Sequence, residues 1–252
     1  MDAHELSLLT AHPMQVLGMS FYFDPLTRAT GKELGLNVYE FYGLGRAGTL
    51  GDVDTATVQD VFYFFDPSII EFIWANAKMK ANPVEIANEH LRAAYAFAEQ
   101  TFGGVDVTVL ADFAVAVRRM VERHEGGVCP LVDGYLAVRA PSDPVHAAYL
   151  ATIFLRELRG GLHIHATREV GLDPLVACYL QDPGVFALHG YKEEDAPVVT
   201  EELTEKKARA EELTSAAMAA CFAVLSDDER RVIARATPLM FDALERPVPV
   251  AH

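Results

Sequence analysis

Between Leu155 and Glu169 the chain reads LRELRGGLHIHATRE, which sets Arg156, Glu157, Arg159, His163 and His165 close together. A guanidinium can hold a carboxylate or phosphate through paired hydrogen bonds. An imidazole can take and give a proton near neutral pH, and a carboxylate can orient it. His163 with Glu157, backed by Arg156, is therefore the candidate acid–base pair, and Arg156, Arg159 and His165 are candidate ligand contacts. The alternative is structural: cations late in a helix meet the negative end of its dipole, and histidines cap helix ends. Metal chemistry is not expected. On a helix His163 and His165 point about 200° apart. Only His165 and Glu169 share the i,i+4 spacing that brings ligands together. There is no HExxH and no cysteine cluster. No cofactor is expected.

A second source of chemistry is Gly43–Gly51, GLGRAGTLG, whose glycines predict a sharp turn that can approach a ligand closely. It lacks the GK[ST] and the preceding strand of a phosphate loop. Arg46 is its single charge, placed either to clamp an anion or to cap helix-end carbonyls. Aromatics crowd nearby, Phe21–Phe23 and Phe62–Phe65, and Phe62 and Tyr63 are candidate pocket residues. The competing account is that these rings pack the core.

The elements that must position these residues are helices. Six pairs, Asp24-Pro25, Asp66-Pro67, Asn82-Pro83, Asp143-Pro144, Asp173-Pro174 and Asp182-Pro183, join an N-cap side chain to a proline suited to the first helical position. Helix-period apolar residues follow most of them. Residues 83–100 predict an amphipathic helix with His90 at its surface or boundary, and residues 106–124 predict another. Val105–Leu110 has strand composition but sits more easily beside a helix. Residues 128–142 read as irregular. From Asp143 the apolar positions run almost all round, so that helix is buried, and it is expected to end at Gly160-Gly161. Thr200–Leu225 predicts a long helix, Ser226–Glu229 a capping box that opens the last one, and the tail from Pro247 is expected to fray.

Composition narrows the class. Of 252 residues 51% are apolar, enough for a real core. No apolar run reaches the roughly 18 residues of a membrane span, and the acidic first residues lack the basic start of a signal peptide. Cys129, Cys178 and Cys221 are few, odd in number and scattered, which fits a reduced, cytoplasmic chain. The formal charge of −15 repels nucleic acid unless one face is locally basic. The expected division is an aromatic-rich half over 1–127 and a second helical half over 128–252, or one continuous domain.

Three stretches carry a family resemblance. Gly45–Gly51 resembles a GRAxPLG motif, Phe62–Pro67 a FYNFxP motif, and Leu155–His163 with Gly171–Pro174 a LREHRGDGH motif followed by GLDP. Together they resemble an actinobacterial family carrying a MarR-like helix-turn-helix domain. The resemblance implies an all-α fold on a MarR-like helix-turn-helix or winged-helix scaffold. It also implies C-terminal helices that pair two copies, hence a homodimer. The chain departs from that pattern at Leu158, Gly161, Leu162 and His165, where the family has His, Asp, Gly and Ala. The segment after Asp173, where a recognition helix and wing would lie, is also shorter. Thr167–Leu180 has helix-turn-helix spacing, with Gly171 in the turn. Yet Pro174–Asp182 holds no Lys or Arg for phosphate and base contacts. The expected function is a small-molecule sensor with an apolar, Arg/Glu/His-anchored pocket that has lost DNA reading. The alternatives are a cofactor-independent enzyme using His163 and Glu157, and a MarR-like transcriptional regulator.

Overall fold

The computed structural model describes residues 1–245, and every regular element among them is helical. The expected fraying from Pro247 lies outside the described residues. The chain runs through α1 (Ala3–Met19), α2 (Pro25–Glu33), α3 (Val38–Ala47), α4 (Thr55–Val61) and α5 (Pro67–Ile70). It continues through α6 (Pro83–Phe102), α7 (Val107–Val121), α8 (Pro130–Ala137) and α9 (Pro144–Glu169). It closes with α10 (Pro174–Gln181), α11 (Glu201–Phe222) and α12 (Asp227–Glu245).

Local chemistry sets most of the starts. Asp24, Asp66, Asn82, Asp143 and Asp173 each accept a hydrogen bond from a backbone N–H two residues on, and a proline opens each helix. Asp182 does the same for a short 3-10 turn at Pro183–Val185. Such a cap stabilises its helix by about 1 kcal/mol. Ser226 and Glu229 form the reciprocal box at the head of α12.

Glycines behave differently from the sequence reading in two places. The expected turn at Gly43–Gly51 is the second half of α3 followed by a 3-10 turn, Gly48–Leu50. Its glycines serve contact. A Cβ on Gly45 would lie 2.3 Å from the His90 ring, and one on Gly48 would lie 2.1 Å from the Pro83 carbonyl oxygen. They let α3 lie directly on α6. Likewise α9 does not stop at Gly160-Gly161 but runs on to Glu169. Glycine weakens a helix without removing its hydrogen bonds, and packing against α1, α7 and α11 carries α9 through. Residues 128–142, expected to be irregular, contain α8, with Pro130 at its first position and Leu131, Val132 and Tyr135 buried.

One apolar cluster draws on residues from Leu6 to Ala243, on both sides of residue 127. Along the middle of α9, Ala148–Leu155 and Leu158 are all buried. The long C-terminal helices are not left free. Met218 and Phe222 of α11, and Ile233, Ala236 and Met240 of α12, are buried in the same cluster, packed on α1, α7 and α9. A pairing of two copies through these helices would have to use their outer faces. No described helix is long and apolar enough to cross a membrane. After α9 the chain turns through Gly171, at φ 61°, into α10, and short 3-10 turns lead from there to α11.

Candidate ligand-binding site

The outer half of α9 forms the wall of a cavity of about 590 Å³. Its other walls come from α1, the turn after it, α3, the end of α4, the residues before α8, α10 and α11. Arg46, Phe62, Tyr63, Arg156, Glu157, Arg159, His163 and His165 all line it. The structure thus gathers every residue singled out for binding or catalysis, but it gives several of them different partners.

Glu157 is the hub. Arg46 Nε and Nη2 donate to its two carboxylate oxygens at 2.8 and 2.7 Å, and Arg156 Nη1 donates at 2.6 Å. Tyr22 Oη adds a longer bond of 3.5 Å, and Arg46 Nη1 donates to Tyr42 Oη at 2.9 Å. The carboxylate is 1% exposed and the two arginine side chains 8% and 12%. Burial would raise the Glu157 carboxyl, but Arg46 and Arg156 outweigh it and hold it at about 2. The expected acid–base pair is therefore corrected. Glu157 stays ionised, its oxygens are taken by two guanidiniums, and it does not orient His163. Arg46 also differs from both expectations. Its fork is spent on Glu157, its cation lies 4.5 Å over the Phe62 ring, and it neither caps a helix nor offers a free clamp.

Arg156 is the open member. Only Nη1 is engaged among the described residues; Nε is buried without an acceptor and Nη2 has no protein partner. Arg159 donates to Glu211 at 2.7 Å, and Arg168 pairs with Asp60 while its cation sits 4.5 Å over the Tyr63 ring. Charged lining residues thus comprise four arginines against three carboxylates, Asp60, Glu157 and Glu211. The cavity is net positive in a chain of net charge −15.

His163 takes its partner from α11. The Thr214 hydroxyl donates its one proton to the Ala210 carbonyl at 2.7 Å, so at 3.0 Å it accepts from His163 Nδ1. That fixes the Nδ1–H tautomer and leaves Nε2 with a lone pair, 3.9 Å from Glu211. Burial lowers the His163 pKa, with Glu211 opposing and Arg159 and Lys207 assisting, so the ring is neutral at pH 7. His189 is similar: Nδ1 donates to the Val185 carbonyl at 2.9 Å, and its ring lies 4.3 Å from that of Phe65. His165 donates Nε2 to the Val128 carbonyl at 2.8 Å. No group of three or more His, Cys, Asp or Glu able to hold a metal ion occurs among the described residues.

Tyr42, Thr214 and Glu211 were not singled out from the sequence, and Tyr22 entered only with the aromatic run Phe21–Phe23. Nothing local marks the first three; Glu211 and Thr214 lie in an ordinary charged-to-apolar helix. His90, expected at a surface, is 1% exposed, caged by Phe21, Tyr22 and Phe41, and burial lowers it to about 3.

Fold and site together define an all-α protein with a basic-walled cavity beside a helix–turn–helix corner. The chain belongs to a helix-turn-helix family, whose model matches residues 9–194. No curated protein matches it, and no solved structure does.

Proposed function

We propose that the protein binds an apolar organic anion in this cavity, as a sensor-like member of the helix-turn-helix family whose MarR-like scaffold no longer reads DNA. The observation that carries the reading is the buried Arg46–Glu157–Arg156 cluster. Two guanidiniums share one carboxylate at the wall of a hollow that several aromatic side chains also line, and Arg156 keeps donors that no described protein group uses. A buried ion pair is weak as a stabiliser, because desolvation consumes its Coulombic gain. A surplus cation there suits a ligand acid. Aromatic walls with a few polar anchors are the usual make-up of a small-molecule site.

Loss of DNA reading is supported by α10. Ala177, Cys178 and Gln181 face the cavity, no Lys or Arg occurs between Glu169 and Lys192, and Asp173 and Asp182 flank the helix. The test is calorimetry with 2-naphthoate and octanoate as probe acids, on the parent chain and Arg156→Gln. Binding by the parent and a loss of at least about tenfold in the variant supports the reading; no binding of either acid at millimolar concentration overturns it. A gel shift with a mixed-sequence duplex at low salt checks the second half, and salt-dependent retention would reinstate a DNA reader.

Acid–base catalysis has one observation in its favour, the pinned His163 with its free Nε2. The ionised Glu157 takes no part in it. Turnover of a bound acid that disappears in His163→Ala while binding persists would make the protein an enzyme.

A further inference from the structure

Gly160 lies on the cavity face of α9, four residues after Arg156 and three before His163. On a helix these three positions line up on one face. A Cβ on Gly160 would meet no atom within 4 Å, whereas one on Gly161 would lie 2.5 Å from Cys129 Sγ. Packing thus accounts for the second glycine and not for the first. A glycine inside a helix weakens it relative to alanine, and no close contact among the described residues offsets that at Gly160. What its missing side chain leaves is a bare strip of helix. At one end stands a guanidinium with unused donors, at the other an imidazole nitrogen with an unused lone pair.

We infer that Gly160 sets the specificity of the cavity, and that its ligand is a hydroxyaryl carboxylic acid lying flat over Gly160. The carboxylate meets Arg156, and the hydroxyl donates to His163 Nε2. This deepens the proposed function and rests on the cavity being a ligand site. Seven residues at a helical rise of about 1.5 Å put the Cα atoms of Arg156 and His163 about 10.5 Å apart. That suits a two-ring acid once the side chains lean toward it. Nε2 can only accept, because Nδ1 holds the proton against Thr214, so the far end of the ligand must be a donor. Tyr22, Phe62 and Phe65 supply flat apolar walls for the rings.

The experiment compares 6-hydroxy-2-naphthoate with 2-naphthoate by calorimetry on the parent chain, His163→Ala, Gly160→Leu, Gly160→Ala and Arg156→Gln. The parent is expected to favour the hydroxy acid by about tenfold, the worth of one good hydrogen bond, and His163→Ala to erase the preference. Gly160→Leu is expected to weaken both acids at least about tenfold without lowering the melting temperature, because its side chain occupies the ligand's place. Should Gly160→Leu not fold, Gly160→Ala decides, and unchanged affinity for both acids overturns the inference. It also falls if the hydroxyl adds nothing, or if folded Gly160→Leu binds like the parent. If the parent binds 2-naphthoate and Arg156→Gln does not, while Gly160→Leu changes nothing, the specificity inference fails alone. If neither acid binds the parent, it fails together with the proposed function.

Discussion

Replacing Glu157 with glutamine removes one charge and almost no volume, so it isolates the electrostatics of the buried cluster. In the parent, three guanidinium N–H groups converge on the carboxylate at 2.6–2.8 Å. Glutamine keeps one accepting oxygen and turns an NH2 toward a guanidinium, donor against donor. Two cations are then buried without a counter-charge, and breaking a buried pair this way costs about 3–5 kcal/mol. The depressed pKa gives the same order. A carboxyl held at about 2 rather than 4.5 contributes about 3 kcal/mol. That contribution is full above pH 4.5 and is lost as the pH falls toward 2. For a chain of this size each kcal/mol moves Tm by about 2–4 °C, so Glu157→Gln should melt about 6–20 °C lower at pH 7. Urea unfolding followed by circular dichroism measures the same loss. The anion reading adds a second, opposite effect. With the carboxylate gone the cavity gains one unit of positive charge, so 2-naphthoate should raise the Tm of the variant more than that of the parent. A ligand at a hundred times its Kd restores about 2.7 kcal/mol. A variant within about 1 kcal/mol of the parent, below the few kcal/mol that breaking such a pair costs, would refute the reasoning. So would a ligand response no larger than the parent's.

Gly45→Ala and Gly160→Ala are the same change with opposite expected signs. The first drives a methyl to 2.3 Å from the His90 ring and should destabilise by about 1–3 kcal/mol, while the second meets nothing and should stabilise by about 0.5–1 kcal/mol in urea titrations. His90 is buried neutral, with a folded pKa of about 3 against 6.5, so stability is full above pH 6.5 and falls as the pH drops toward 3. The whole limb is worth about 5 kcal/mol; in His90→Leu, which also removes the unpartnered Nε2, it should flatten, and an unchanged acid limb would contradict the assignment. The 15N shifts of His163 should report an Nδ1–H imidazole at pH 7.5, and observation of the Nε2–H tautomer would undo the bond to Thr214.

Helix starts were legible because capping is chemistry between neighbours: Asp143 and Pro144 act on backbone groups two residues away whatever the rest of the chain does. Glycine was not legible. Gly43, Gly45 and Gly48 look like a turn in the sequence, and Gly160-Gly161 looks like a stop, because a glycine used for close approach is spelled like one used for bending. Which it is depends on Ile73, His90, Pro83 and Cys129, residues that only the fold brings near. The cavity residues were gathered by reading charges at the end of an oily helix, yet their pairing was not. Arg46 and Glu157 stand 111 positions apart, and Thr214 stands 51 from His163. His90 looked like a boundary residue because its helix is amphipathic, and the aromatic cage that encloses it comes from the turn after α1 and from α3.

The apolar face of α1 packs on α9, α11 and α12, so its cover is complete only once α11 and α12 exist. A nascent chain grows at about 5–20 residues per second. Ala3–Met19 therefore waits roughly ten to forty seconds for the partners made by Glu201–Glu245, with only α9 of its three main neighbours present in the meantime. Full packing of α1 is thereby postponed until α11 and α12 have been made. Ribosome-held intermediates that end before residue 200 should present part of this apolar face to chaperones, and synthesis of α11 and α12 should let the fold bury it.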